Sequence, residues 1–76
     1  MERLIVVAIG NKEKNTITFK VVKNSRAAFD VVAQAHNEKL ICAVGAIDYE
    51  HSKEKAYKQL CISLRKKILE KIKVKI

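Results

Sequence analysis

Arg3-Leu4-Ile5-Val6-Val7-Ala8-Ile9 is apolar from its second residue to its last and rich in β-branched side chains. A run without alternation is the pattern of a strand covered on both faces of a sheet. Gly10-Asn11-Lys12-Glu13-Lys14-Asn15 follows as a polar turn, with residues that tolerate positive φ. In Thr16–Lys23 the apolar Ile17, Phe19 and Val21 alternate with Thr18, Lys20 and Val22, the period of a half-buried strand. The two runs form a β-hairpin.

Beyond it the period changes. Asn24-Ser25 offers an N-cap. Ala28, Phe29, Val32, Ala33 and His36 then share one helical face, with Asn37 as a stop. Leu40–Ile47 is again apolar throughout and reads as a third strand, in which Gly45 marks a bulge or a close backbone contact. Asp48 or Ser52 caps a last helix from Lys53 to Lys71, whose apolar face holds Tyr57, Leu60, Leu64, Ile68 and Ile72. Ile62, Leu69 and Ile76 form a second row. Ile72–Ile76 alternates strictly and fits either more helix or a short C-terminal strand.

The expected fold is α+β in the order β-β-α-β-α, as a single domain over residues 1–76. It has a small, mostly antiparallel three-stranded sheet, the first strand central, and two helices packed on one face. Strands one and three are apolar on both faces, so the bare face needs a cover. In a chain of 76 residues self-association supplies one at low cost, which predicts a homodimer.

Composition narrows the function. The chain is 49% hydrophobic and 32% charged, with two glycines and no proline, which argues against disorder and linkers. The apolar run after Met1 is too short for a secretory segment, and no run has the length of a membrane span. The expectation is a soluble cytoplasmic protein that does not enter a membrane. Cys42 and Cys61 lie in apolar stretches and read as buried thiols.

Charge is uneven. The net charge is +8, and of the 16 basic residues six fall between Arg65 and the end, against one acid there. On a helical wheel Lys55, Lys58, Arg65, Lys66 and Lys73 share a sector with Ile62 and Leu69. A basic sector along one helix suits a phosphate backbone, because each neutralised phosphate releases counterions. Lys53, Lys55, Lys58, Arg65, Lys66, Lys67, Lys71 and Lys73 are the expected contacts. Phe19 and Phe29 fit core positions, so stacking on bases is not expected. Ser52-Lys53-Glu54-Lys55-Ala56-Tyr57-Lys58 is similar to the start of the second helix of double-stranded RNA-binding domains, over less than a third of the chain. That likeness implies phosphate contacts for Lys53, Lys55 and Lys58. The family's N-terminal helix has no counterpart here, and the order of elements differs.

Other chemistry is poorly supplied. His36, Cys42, His51 and Cys61 are zinc-ligand types without a C-x-x-C or H-x-x-x-H pair, so no metal or cofactor is expected. Asp48, Glu50 and His51 are acid–base types, but capping and loop polarity explain them equally well. No nucleophile motif or phosphate-binding glycine loop is present. The reading is a non-enzymatic nucleic-acid-binding module. The alternative is a small protein-interaction module, an adaptor or inhibitor of a larger intracellular machine such as mobile elements encode. Its contact would be a sheet edge or the Ile62, Leu69 and Ile76 ridge.

Overall fold

The computed structural model describes residues 2–73, the Lys73 side chain excepted. Five elements follow one another: β1 (Glu2–Asn11), β2 (Thr16–Val22), α1 (Ser25–Asn37), β3 (Ile41–Tyr49) and α2 (Lys53–Lys73). The sheet order is β2-β1-β3 and both pairings are antiparallel. The α+β order and the central first strand are as expected. Ile72 and Lys73 are helical; the rest of the alternating tail lies outside the described residues.

The placement of the helices departs from the expectation. Residues opposite one another in an antiparallel ladder point to the same face. Leu4, Val6, Ala8 and Gly10 therefore share a face with Ile47, Gly45, Ala43 and Ile41 of β3. Ala56, Leu60, Leu64 and Ile68 of α2 pack there, forming the main core. Ile5, Val7 and Ile9 share the other face with Ala46, Val44 and Cys42. There α1 lies, with Ala28 and Ala35 buried above a fully buried Val7. The two helices do not touch. They cover opposite faces, not one. The physical reason is β1 itself: it carries large apolar side chains on both sides, and stacking both helices on one face would leave Ile5, Val7 and Ile9 in water.

Both glycines let α2 lie close. A Cβ on Gly10 would stand 2.7 Å from Ile68 Cγ2, and one on Gly45 would stand 2.7 Å from Leu60 Cδ1 and 3.1 Å from Leu64 Cδ2. The ladder runs through Val6 and Gly45 without a bulge, so the close contact is the correct half of the Gly45 expectation. Gly10 belongs to β1, not to the turn. In the turn, Asn15 takes the positive φ, 55°, and Asn11 Oδ1 accepts from the Lys14 N–H.

Asn24 caps α1, its Oδ1 accepting from the Ala27 N–H at 2.8 Å. The helix closes with a Schellman arrangement: Leu40 N–H donates to the Ala35 carbonyl and Lys39 N–H to that of His36. Lys39 holds the left-handed position, φ 61°, that glycine usually fills. The buried line of α1 runs through Ala28 and Ala35, about 100° round from Phe29. Phe29 is therefore 71% exposed, against the expectation of a core position, and His36 also faces solvent. Phe19 packs partly buried against the α2 core.

Two stability outcomes follow from these positions. Lys39→Gly relieves the left-handed backbone and should raise stability by about 0.5–1 kcal/mol in urea titration, after the entropy glycine adds to the unfolded chain. Gly10→Ala forces a methyl onto the fully buried, β-branched Ile68 and should cost about 1–3 kcal/mol in the same titration.

Candidate nucleic-acid interface

A helix of 21 residues extends about 32 Å. Ser52 starts it, its Oγ accepting from the Lys55 N–H at 3.2 Å, so of the two expected caps Ser52 is used. Because Ala56, Leu60, Leu64 and Ile68 hold the sheet side, residues half a turn away must face out. Lys55, Lys58, Ile62, Arg65, Lys66 and Leu69 are all exposed. The stripe is cationic with apolar residues set into it: Ile62 is 71% and Leu69 44% exposed.

The expected contacts do not form one equivalent set. Lys55, Arg65 and Lys66 lie on or beside the outward stripe, with no ion-pair partner among the described residues. Lys58 faces Glu54 one turn earlier at 3.9 Å, both side chains well solvated, a pairing of little worth. Lys53 and Lys67 are exposed but lie in line with the buried Leu60, on the sheet side of the helix and away from the outward stripe, against the expectation of phosphate contacts there. Lys71 is directed elsewhere: its Nζ donates to the Cys42 carbonyl at the start of β3. Lys73 is helical by its backbone. Ile76, the third member of the expected ridge, lies outside the described residues.

The hairpin adds a feature that helical periodicity did not reveal. Arg65, Leu69 and Ile72 face Asn11, Asn15, Thr16, Ile17 and Phe19 across a groove of about 440 Å³. One wall presents amides and a hydroxyl, the other a guanidinium, above a floor that includes Phe19. The polar turn was legible in sequence. Its position beside Arg65 depends on how α2 crosses the sheet.

The remaining polar groups are occupied locally. Arg3 Nε donates to Asp48 Oδ1 at 3.0 Å, and the Tyr49 hydroxyl donates to Glu2 Oε2 at 2.7 Å. That hydrogen bond is the main reason the Tyr49 hydroxyl is held above its ordinary pKa. Glu50 meets His51 at 3.8 Å, both exposed. Among the described residues no three His, Cys, Asp or Glu side chains are grouped to hold a metal ion. Nor is any helix there long and apolar enough to cross a membrane. Cys42 and Cys61 are free and half-buried. Comparison with known proteins gave no match to a family model, a curated protein or a solved structure.

Burial pushes the Cys42 thiol above its ordinary pKa, and the nearby Lys71 ammonium pulls it partly back. Alkylation of Cys42 in a Cys61→Ser background should therefore run slower at neutral pH than alkylation of the urea-unfolded chain. Lys71→Met removes the opposing charge and should slow it further, read as the pH dependence of the iodoacetamide rate.

Proposed function

We propose that the protein is a non-enzymatic nucleic-acid-binding module that lays the outward face of α2 along a phosphate backbone. The observation that carries this reading is the Lys55, Lys58, Arg65 and Lys66 stripe, exposed on one helix; among the described residues Lys58 alone of the four has a close carboxylate, the solvated Glu54. About 16 Å separates Lys55 from Lys66 along the axis, and the whole helix is about as long as one turn of a duplex. Shape and charge recognition suit this surface better than base stacking, since the stripe contains no aromatic residue. Lys53 and Lys67, in line with the buried Leu60, lie on the sheet side and fall outside this contact; the groove beside Arg65 offers amide and hydroxyl groups to a sugar or a phosphate oxygen. A homodimer remains part of the proposal on grounds other than a bare sheet face, since α1 covers that face.

Ile62 supports the second reading, in which the face binds an acidic, amphipathic protein partner. An isoleucine 71% exposed among lysines gives such a partner an apolar contact that phosphates do not use. Small adaptors and inhibitors of larger assemblies are the class implied.

Salt separates the two readings. Four phosphate contacts give a slope of about −3.6 in log K against log salt, or roughly a hundredfold loss between 50 and 200 mM. Fluorescence anisotropy with labelled duplex DNA, duplex RNA and single strands measures it. Lys55→Ala with Lys66→Ala should make the slope shallower by about 1.8 and leave the circular dichroism unchanged. An unaltered slope in that double variant removes α2 from the contact.

A further inference from the structure

The sheet has two unlike edges. On β2 the outer strand carries Lys20, and Lys23 follows it, charged side chains of the kind that discourage strand addition. On β3 the sequence Ile41-Cys42-Ala43-Val44-Gly45-Ala46-Ile47 holds no charge, no proline and no bulge. Its ladder is with β1 alone, and among the described residues none of its backbone groups bonds to main chain on the other side. Lys71 guards only the start of the strand, at the Cys42 carbonyl.

Beside this edge the α1 layer is incomplete. A groove of about 500 Å³ runs between α1 and β3, lined mostly by apolar residues, Ile5, Phe29, Val32, Val44 and Ala46 among them, with Arg3 and Ser25 also in its wall. Val44 is 44% exposed, Ala46 is exposed and Phe29 stands at the rim. The apolar edge and the apolar groove are one continuous surface.

We propose that this surface joins two copies of the chain through antiparallel β3–β3′ pairing about a two-fold axis near Gly45. Three observations favour a second copy over a foreign strand. The edge is self-complementary: a two-fold centred between Val44 and Ala46 sets only Val, Gly and Ala against each other at its middle. Charge is light at the middle of the edge: the outward stripe of α2 points away from the sheet, the strand itself has no charged residue between Ile41 and Ile47, and the Lys71 ammonium stands three residues from Gly45, at the Cys42 carbonyl. Area is adequate. Nine residues of strand run about 30 Å, and the molecule is 17–22 Å across its shorter axes. Contact over that whole side, strand edge and helix layers together, buries at most about 600 Å² per copy, or about 1,200 Å² in total, the lower bound for a specific interface. A two-fold perpendicular to the sheet keeps like faces together. The two grooves then merge across the axis, and each Phe29 lies over apolar surface that both copies supply. The inference gives the proposed homodimer a surface apart from the α2 stripe, and its test uses no nucleic acid, so it can fail while nucleic-acid binding stands.

Sedimentation equilibrium from micromolar to hundreds of micromolar tests it. The wild-type chain should approach twice its 8.6 kDa mass. Val44→Lys brings like charges together at the axis and should weaken the dimer by about 100-fold or more with the circular dichroism unchanged. Ala46→Lys, also at an exposed position, should act likewise and serves if the first variant misfolds. Leu69→Asp should leave the dimer intact. A wild-type monomer at the highest concentration overturns the proposal and leaves the edge to a foreign strand. A dimer that survives both lysine variants, or that only Leu69→Asp disrupts, overturns it in favour of another surface.

Discussion

β1 is hydrogen-bonded on both edges and apolar on both faces, and a strand in that position imposes two covers on a chain of 76 residues. Leu4, Val6 and Ala8 bring α2 onto one side; Ile5, Val7 and Ile9 bring α1 onto the other. The two covers differ in quality. On the α2 side Gly10 and Gly45 lower the helix onto the strands, and Leu64 and Ile68 are fully buried. Each such side chain contributes about 1.5–3 kcal/mol against exposure. On the α1 side the buried helical residues are alanines, which bring the helix near but fill little volume.

The order of elements was legible because each segment states its own period. The unbroken Leu4–Ile9, the alternating Ile17, Phe19 and Val21, and the Leu60, Leu64 and Ile68 repeat each belong to one kind of element. The side on which each helix packs is not a local property. The two apolar faces of β1 were legible, but the pattern does not say what covers the second one; a second copy of the chain was expected where α1 lies. Phe29 was expected in the core for a separate reason: in α1 the residues that meet the sheet are small alanines, and their positions carry little weight in a hydrophobic pattern. At the candidate site the outward stripe of α2 was readable, since helix geometry alone orders Lys55, Lys58, Arg65 and Lys66. The use of Lys71 on a β3 carbonyl and the nearness of Asn15 to Arg65 were not, because both depend on tertiary placement.

Charge and apolar surface occupy separate parts of the molecule. Lysines and Arg65 cover the outer side of α2, while the β3 edge and the groove along α1 are almost neutral. This separation lets one small chain present two surfaces of different chemistry. It also keeps a large positive charge from working against close approach at the edge, where the Debye length of about 8 Å at physiological salt screens what remains.

Because α1 and α2 never meet, the protein has two half-cores joined only through the backbone of one sheet. Such halves need not melt together. Opening α1 exposes the two buried alanines and Val7, whereas lifting α2 exposes most of the buried side chains in the molecule. Native-state fluctuations should therefore be graded, with α1 as a low-energy opening unit above a more durable β-sheet and α2 pair. In that partly open state Ile5, Val7 and Ile9 face solvent along the middle strand. That state adds a second apolar surface to the open β3 edge of the native fold, and both bear on how easily the chain aggregates.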